Sequence, residues 1–264
     1  MNMKIYIMTD LEGISGVRRA SECKSGLDEY QKACRYLENE VNAAIEGAFE
    51  GGATEVLVCD SHGSGFNLDL KNMDKRARYC ENNGIKELMA LIDESFDGYL
   101  NIGHHAKAGT INAFLDHTQC GESVFDYKIN GVSYGEIGQQ LLLAGDYDVA
   151  QLMISGDKAA CEESTTLSPD SISVSVKEAY GNNKVNCLPP ELGCEMVRKA
   201  SKEAMSLIGK VKPFKIDGPY DVQLTLTRTR FADNICKNKP FLERLDGRTL
   251  RYVTNDIKEI LMPF

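Results

Sequence analysis

Three apolar runs of this chain, each of a length typical of a buried strand, end in side chains that bind metals or transfer protons. These side chains are Asp10 and Glu12 after the run at 4–9, His62 after the run at 55–60, and His104 and His105 after the run at 99–103. In an open parallel sheet, ligands bind beyond the carboxyl ends of the strands. The sequence therefore predicts one site at which these side chains meet.

The two acids at the end of the first run suggest what such a site would hold. Alternate residues of an extended strand point to the same side, so Asp10 and Glu12 can converge on one point. Two neighbouring carboxylates repel each other unless a cation lies between them. Taken alone, the pair is more typical of a solvated turn. The coincidence of three strand ends favours a metal site, and carboxylates with neutral imidazoles suit Zn²⁺, Mn²⁺ or Co²⁺.

The histidines are clustered in the sequence. The chain has four of them, all between positions 62 and 117. Taken alone, a histidine in a loop such as that of His62 is as often an exposed loop residue as a functional one. His104 and His105 are adjacent on a predicted strand, which sends them to opposite faces, so at most one of them is expected to be a ligand.

The order of the predicted elements indicates an α/β fold, a mostly parallel sheet flanked by helices, with a smaller α+β C-terminal portion. We predict a catalytic metal-binding domain at 1–165 and a smaller α+β domain at 166–264. The predicted helices are at 30–49, 85–92, 135–145 and after Pro190, and the further strands are at 149–155, 172–176 and 222–227.

The composition of the chain limits which partners and which cellular location we expect. The chain has 264 residues, 30 Lys and Arg against 39 Asp and Glu, and a net charge of -9. Such a charge makes nucleic acid or an anionic membrane an improbable partner, and no secretory signal or membrane-spanning run is expected. Nine cysteines without a C-x-x-C pair fit neither a disulfide framework nor a zinc ribbon, so we expect a cytoplasmic protein.

Common catalytic signatures do not explain the acids and histidines. The sequence contains neither G-x-G-x-x-G nor a P-loop, and no G-x-S-x-G elbow. Cys59 lies three residues before His62, but its place inside an apolar run favours core packing over a nucleophilic role.

Five segments together resemble the zinc-dependent D-aminopeptidases of the bacterial dipeptide-permease operon type. They are TDLEGISG, DSHG, IGHHAKAGT, the later His117 and INGVSYGEIG, in order and spacing. The resemblance covers about the first 160 residues. Beyond about residue 166 little can be matched.

The resemblance implies a dinuclear zinc site and its ligands. By motif, the metal ligands are Asp10, Glu12, His62, His105 and Glu136, with Asp10 expected to bridge two zinc ions per chain, and the catalytic histidine is His117. Glu136 begins a predicted helix, where an acid is also favoured by the helix dipole. The implied activity is removal of an N-terminal D-amino acid, such as D-Ala, from short peptides by a metal-activated hydroxide.

The resemblance also implies a ring-like homo-oligomer, a decamer, that admits small peptides. His104 stands where the family commonly has an aromatic residue. Two other functions stay open at this point: a metal-dependent phosphoesterase, which the Asp-x-Glu arrangement weakly suggests, and a metal- or peptide-binding protein that has lost catalysis.

Overall fold

The computed structural model describes residues 2–82 and 84–264 and contains two β-sheets with five α-helices in those ranges. The strands are β1 (Lys4–Thr9), β2 (Glu55–Asp60), β3 (Arg78–Glu81), β4 (Gly98–His104), β5 (Val124–Ile129), β6 (Val132–Ser133), β7 (Gln151–Asp157), β8 (Ile172–Gly181), β9 (Lys184–Cys187), β10 (Tyr220–Leu226), β11 (Glu243–Arg244) and β12 (Thr249–Thr254). The helices are α1 (Asp28–Glu50), α2 (Glu136–Asp146), α3 (Lys158–Leu167), α4 (Pro190–Ala204) and α5 (Thr229–Asn238), and short 3₁₀ turns lie at Ala20–Cys23, Ile85–Glu87, Met205–Leu207 and Ile257–Glu259.

The larger sheet confirms the predicted α/β fold. Its seven strands lie in the order β3-β2-β1-β4-β7-β8-β9, and every neighbouring pair is parallel except β8 with β9. Parallel strands are covered on both faces, which explains why β1, β2 and β4 read as continuous apolar runs. Their carboxyl ends lie side by side, as the prediction of a shared site requires.

Strand β1, in the interior of the sheet, contributes side chains to both halves of the hydrophobic core. Ile5 and Ile7 belong to the core cluster under α1 and α4. Tyr6 and Met8 belong to a second cluster, which includes residues of α2 and of the second, antiparallel sheet. This alternation follows from the two-residue period of a strand. A one-residue slip of β1 would exchange the two faces, so both clusters fix its register.

The second sheet is antiparallel, in the order β11-β12-β10-β5-β6. It takes β5 and β6 from before residue 166, while β8 and β9, which follow that residue, extend the first sheet. The division at 165/166 stays a prediction.

The predicted helix at 85–92 is wrong. Only Ile85–Glu87 forms a 3₁₀ turn, because Met89 and Leu91 adopt φ of 60° and 64°, which a right-handed helix excludes. A run this short also has little helical stability of its own, so packing of Met89 and Ile92 into the second cluster determines the backbone. Other boundaries differ from prediction by a few residues, and Cys59 is fully buried as expected.

Helix α1 packs along α4 at a point of close backbone approach. A Cβ atom built on Gly47 would lie 2.2 Å from the carbonyl oxygen of Arg198 and 2.8 Å from Cβ of Ser201. The two helices therefore touch where a side chain cannot fit. Within the described residues, no helix is both long and apolar enough to span a membrane.

We expect Gly47→Ala to destabilise the fold by about 1–3 kcal/mol through overpacking. Helix preference alone would predict a gain of about 1 kcal/mol, so the sign distinguishes the two effects. Asn39→Ala, at an exposed position of α1, is the control and should be neutral or slightly stabilising. Urea unfolding measures both variants, and a Gly47→Ala chain as stable as the wild type would contradict the close approach.

Candidate metal centre

The loop after β1 is held against β4 by its backbone. The N–H of Asp10 donates to the carbonyl of Ile102 over 2.8 Å, and the N–H of Gly13 donates to that of Gly103 over 2.7 Å. A Cβ atom on Gly13 would lie 2.2 Å from the carbonyl oxygen of His104. The glycine of the D-x-E-G sequence is therefore required by the close packing of this loop on β4.

The first group of donors joins the loops that follow β1 and β2. His62 Nδ1 lies 3.2 Å from Asp10 Oδ1 and 3.0 Å from Glu12 Oε2. Both carboxylates are buried, each only 6% exposed. One imidazole nitrogen thus faces two acids in a region that water scarcely reaches.

The backbone fixes which nitrogen of His62 carries a proton in the neutral ring. His62 Nε2 lies 3.1 Å from the carbonyl oxygen of Cys23, and because a carbonyl can only accept, Nε2 is the donor. The neutral form therefore directs the lone pair of Nδ1 at Asp10 and Glu12. A lone pair aimed at two carboxylates is repelled unless a proton or a metal ion lies between them.

His105 repeats this arrangement on the other side of Asp10. Its Nδ1 is 2.9 Å from the carbonyl oxygen of Ala106 and acts as the donor. Its Nε2 faces Asp10 Oδ2 at 3.3 Å and Glu136 Oε1 at 3.5 Å. Asp10 accordingly lies between the two imidazoles, with one oxygen towards each.

The neighbouring histidine turns away from this group. His104 is fully buried, and its Nε2 lies 2.8 Å from Oε1 of Gln140 on α2. Burial lowers the pKa of His104 below its ordinary value, so the ring is neutral. The structure thus brings His105 to the acids and directs His104 to the helix, as strand alternation predicts.

Glu136 is positioned by the start of α2 and by the loop that follows β4. It is the first residue of α2, and its Oε1 accepts a hydrogen bond from the backbone N–H of Gln119 over 2.7 Å. Gln119 has a φ of 62°, a conformation that directs its N–H at the carboxylate. The same oxygen of Glu136 lies 3.5 Å from Nε2 of His105 and 3.8 Å from Nε2 of His117.

His117 stacks on His105. The two ring centroids are 3.9 Å apart and the planes are inclined by only 13°. His117 Nδ1 lies 2.8 Å from the carbonyl oxygen of Leu115, so the neutral ring leaves Nε2 unprotonated, 3.8 Å from Glu136 Oε1. His117 lines the neighbouring cavity, and this nitrogen is in a position to accept a proton.

The electrostatics of the cluster are those of coupled acids and bases. Burial would raise the pKa of Asp10, but contacts with His105 and His62 hold it well below its ordinary value. Burial would likewise lower the pKa of His62, yet Glu12 and Asp10 raise it well above its ordinary value. Without a metal, protons on the imidazoles take the place of the cation that the acids require.

The donor set fits a divalent metal ion. The donor atoms form two groups, and within each group they all lie within 4.8 Å of one another. One group is Asp10, Glu12 and His105, and the other is His105, His117 and Glu136. Glu12 Oε2 is buried and accepts no properly aligned hydrogen bond within the described part of the chain, as expected of an oxygen intended for an ion. Nitrogen and carboxylate donors in this number suit zinc.

The cluster opens on a cavity of about 300 Å³. The residues that line it include the acids Asp10, Glu12 and Glu136, His117, and the apolar side chains of Ile85 and Leu88. A space of this size admits a small molecule and excludes a folded protein.

Five of the six site residues predicted from the sequence line this cavity, and the sixth, His105, contacts Asp10 and Glu136 and stacks on His117. Their roles as ligands and catalyst stay predictions. The sequence did not reveal the groups that orient them, the carbonyls of Cys23, Ala106 and Leu115 and the N–H of Gln119, because backbone groups leave no signal in residue type.

Comparison with known proteins agrees with this geometry. The family model of peptidase family M55, described as D-aminopeptidase, matches residues 3–264. A D-aminopeptidase of Bacillus subtilis (strain 168) is 33% identical over 213 residues, which are 80% of this chain and 77% of that protein. A solved structure, the Zn-dependent D-aminopeptidase DppA from Bacillus subtilis, described as a self-compartmentalizing protease, superposes with a TM-score of 0.93. It is 29% identical, and the match covers 99% of this chain and 95% of that one.

The family model spans both sheets, including the part of the chain beyond residue 166 in which the sequence motifs could not be matched. This chain belongs to the D-aminopeptidase family, peptidase family M55.

Proposed function

We propose that this protein is a zinc aminopeptidase that removes an N-terminal D-amino acid from short peptides. The observation that carries the proposal is the convergence of Nδ1 of His62 and Nε2 of His105, the ring nitrogens that no backbone carbonyl engages, on the carboxylates of Asp10, Glu12 and Glu136. The Zn-dependent activity of the solved relative supports zinc as the ion.

Two zinc ions per chain would be held by Asp10, Glu12, His62, His105 and Glu136. When bound, zinc would supply Lewis acidity, which polarises a carbonyl group and lowers the pKa of a water molecule to about 7. Asp10 is suited to serve both ions because its two oxygens face different histidines. The carbonyls that accept from His62 and His105 keep each ring in the orientation that a ligand needs.

His117 is the proposed proton-transfer residue. Its Nδ1–H is engaged by Leu115, so Nε2 is the nitrogen that can take up a proton and deliver it to the leaving amine. Stacking on His105 fixes the plane of the ring. In its protonated form the ring would also stabilise negative charge that develops on the carbonyl oxygen.

The cavity favours small substrates. Its volume of about 300 Å³ suits a dipeptide or tripeptide. The acids that line it attract the free N-terminal ammonium group of such a peptide. Ile85 and Leu88 offer an apolar surface to a side chain such as that of D-Ala. The preference for D residues rests on family membership.

Self-association is the proposed means of restricting access. The solved relative is described as self-compartmentalizing, and we extend that property to a homo-oligomer of this chain, a decamer by the sequence resemblance. The nine cysteines are free thiols, which fits the proposed cytoplasmic location.

Matched substrates test the stereochemical part of the proposal. The zinc-loaded protein should hydrolyse D-Ala dipeptides and D-alaninamide with a kcat/KM at least roughly 100-fold higher than for the L enantiomers, because fixed polar groups reject a misplaced substituent. Equal rates would contradict D specificity, and turnover of phosphate esters instead of peptides would contradict the peptidase assignment.

Adjacent histidines provide a matched test of the metal site. His105→Ala should reduce the zinc content from about two ions per chain and abolish activity. His104→Gln, one residue away but directed at Gln140, should retain the zinc of the wild type. Zinc is measured by atomic emission on dialysed protein, with thermal unfolding to confirm the fold. Equal zinc in His105→Ala and the wild type would remove His105 from the ligand set.

For His117 we expect a separation of binding from turnover. His117→Gln should lower kcat about 100- to 10,000-fold, the range of general acid–base catalysis, and should leave both zinc ions in place. Because His117 also lies in one of the two donor groups, loss of one zinc ion would identify it as a ligand, and unchanged kcat would exclude proton transfer.

A further inference from the structure

A buried lysine outside the motifs and outside the predicted site contacts the loop that carries Glu12. Lys177 lies on β8 and is 2% exposed. Lysine is almost never fully buried without a partner, and straight-chain apolar residues would fill the same space at lower cost. The burial of Lys177 therefore requires an explanation.

The ammonium group joins the two ends of the loop after β1. Nζ of Lys177 donates to the backbone carbonyl of Glu12 and to that of Val17, each over 2.7 Å. The segment between them contains the tight approach of Gly13 to β4. Lys177 thus ties the two ends of this loop together.

The same ammonium group reaches the segment that leads to His117. It lies 4.8 Å from the centroid of the Phe114 ring, and the N–H of Phe114 donates to Asp157 Oδ2 over 3.0 Å. The residue after Phe114, Leu115, supplies the carbonyl that orients His117. One cation accordingly contacts both segments on which the proposed chemistry depends.

Among the described residues, no carboxylate neutralises the Lys177 ammonium by direct contact. Within residues 2–82 and 84–264, no acidic oxygen lies within 4.0 Å of the Lys177 ammonium. The acids nearest in effect, Glu40 and Asp157, act on it at longer range. The ammonium group is therefore held by direct contact with the two backbone carbonyls of the loop after β1.

We propose that Lys177 is a positioning residue of the metal centre, which holds the Glu12 loop in its ligating conformation and links it to the His117 segment. This inference rests on the proposed zinc aminopeptidase function. Lys177 itself touches neither substrate nor metal, and its effect passes through the backbone of Glu12.

The alternative is that Lys177 only satisfies two buried carbonyls and contributes to stability. The experiment compares Lys177→Met, which keeps the length and loses charge and donors, with the full-length wild type. Val222→Ala, in the core of the second sheet, is the control that destabilises the fold away from the centre. For each chain we measure the zinc dissociation constant by chelator competition, kcat and KM for a D-Ala dipeptide, the absorption spectrum of the Co²⁺-loaded form, and Tm.

Lys177→Met should weaken zinc binding about 10- to 100-fold, as is typical for residues that orient metal ligands, with a lower kcat and an altered Co²⁺ spectrum. Val222→Ala should lower Tm without changing zinc affinity or the spectrum. If Lys177→Met does not fold, Lys177→Gln, which keeps N–H donors without the charge, is measured in the same way and is expected to weaken zinc binding.

A folded Lys177 variant with the zinc affinity, spectrum and kcat of the wild type would overturn the inference and leave only a structural role. A wild-type chain that binds no zinc tightly would overturn the proposed function itself, and with it the inference. The two failures are distinguishable because the second is visible in the wild type alone.

Discussion

The constraint on which the rest of the structure depends is electrostatic: buried carboxylates meet imidazole lone pairs at the end of one sheet. Asp10 receives Nδ1 of His62 on one oxygen and Nε2 of His105 on the other. Backbone carbonyls keep the remaining nitrogen of each ring occupied. Such a group is stable only when positive charge lies within it, as protons or as metal ions. The tight backbone approach of Gly13 to β4 fixes the loop that carries these acids, and the proposed role of Lys177 is to support the same loop.

How far the sequence predicted this site can be understood residue by residue. Asp10, Glu12 and His62 followed apolar runs, and strand periodicity with sheet topology was sufficient to place them together. The same periodicity separated His105 from His104. Glu136 and His117 required the family resemblance, because an acid at a helix start and a histidine in a loop have common structural explanations.

What the sequence could not predict is decided by tertiary packing. Met89 and Leu91 interrupt a run that was predicted to be helical because both have a positive φ, and the side chains of Met89 and Ile92 are buried in a core built by distant strands. Lys177 is a comparable case, since a lysine in a strand normally indicates a solvent-facing position. At that point the pairing of β8 with β7 shifts register, and Asp157 becomes the residue opposite Lys177. No local pattern signals such an irregularity.

The donors around Asp10 come from four separate parts of the chain: the loops after β1 and β2, the end of β4, and the start of α2. In the unfolded chain these segments are far apart and bind an ion weakly. An ion that binds only their folded arrangement adds RT ln(1 + [L]/Kd) to the free energy of unfolding, about 1.4 kcal/mol for each tenfold rise in its free concentration once the site is saturated. The fraction of the protein that stays folded then depends on the supply of metal. The centre proposed for turnover therefore also couples the abundance of the protein to the metal content of its surroundings.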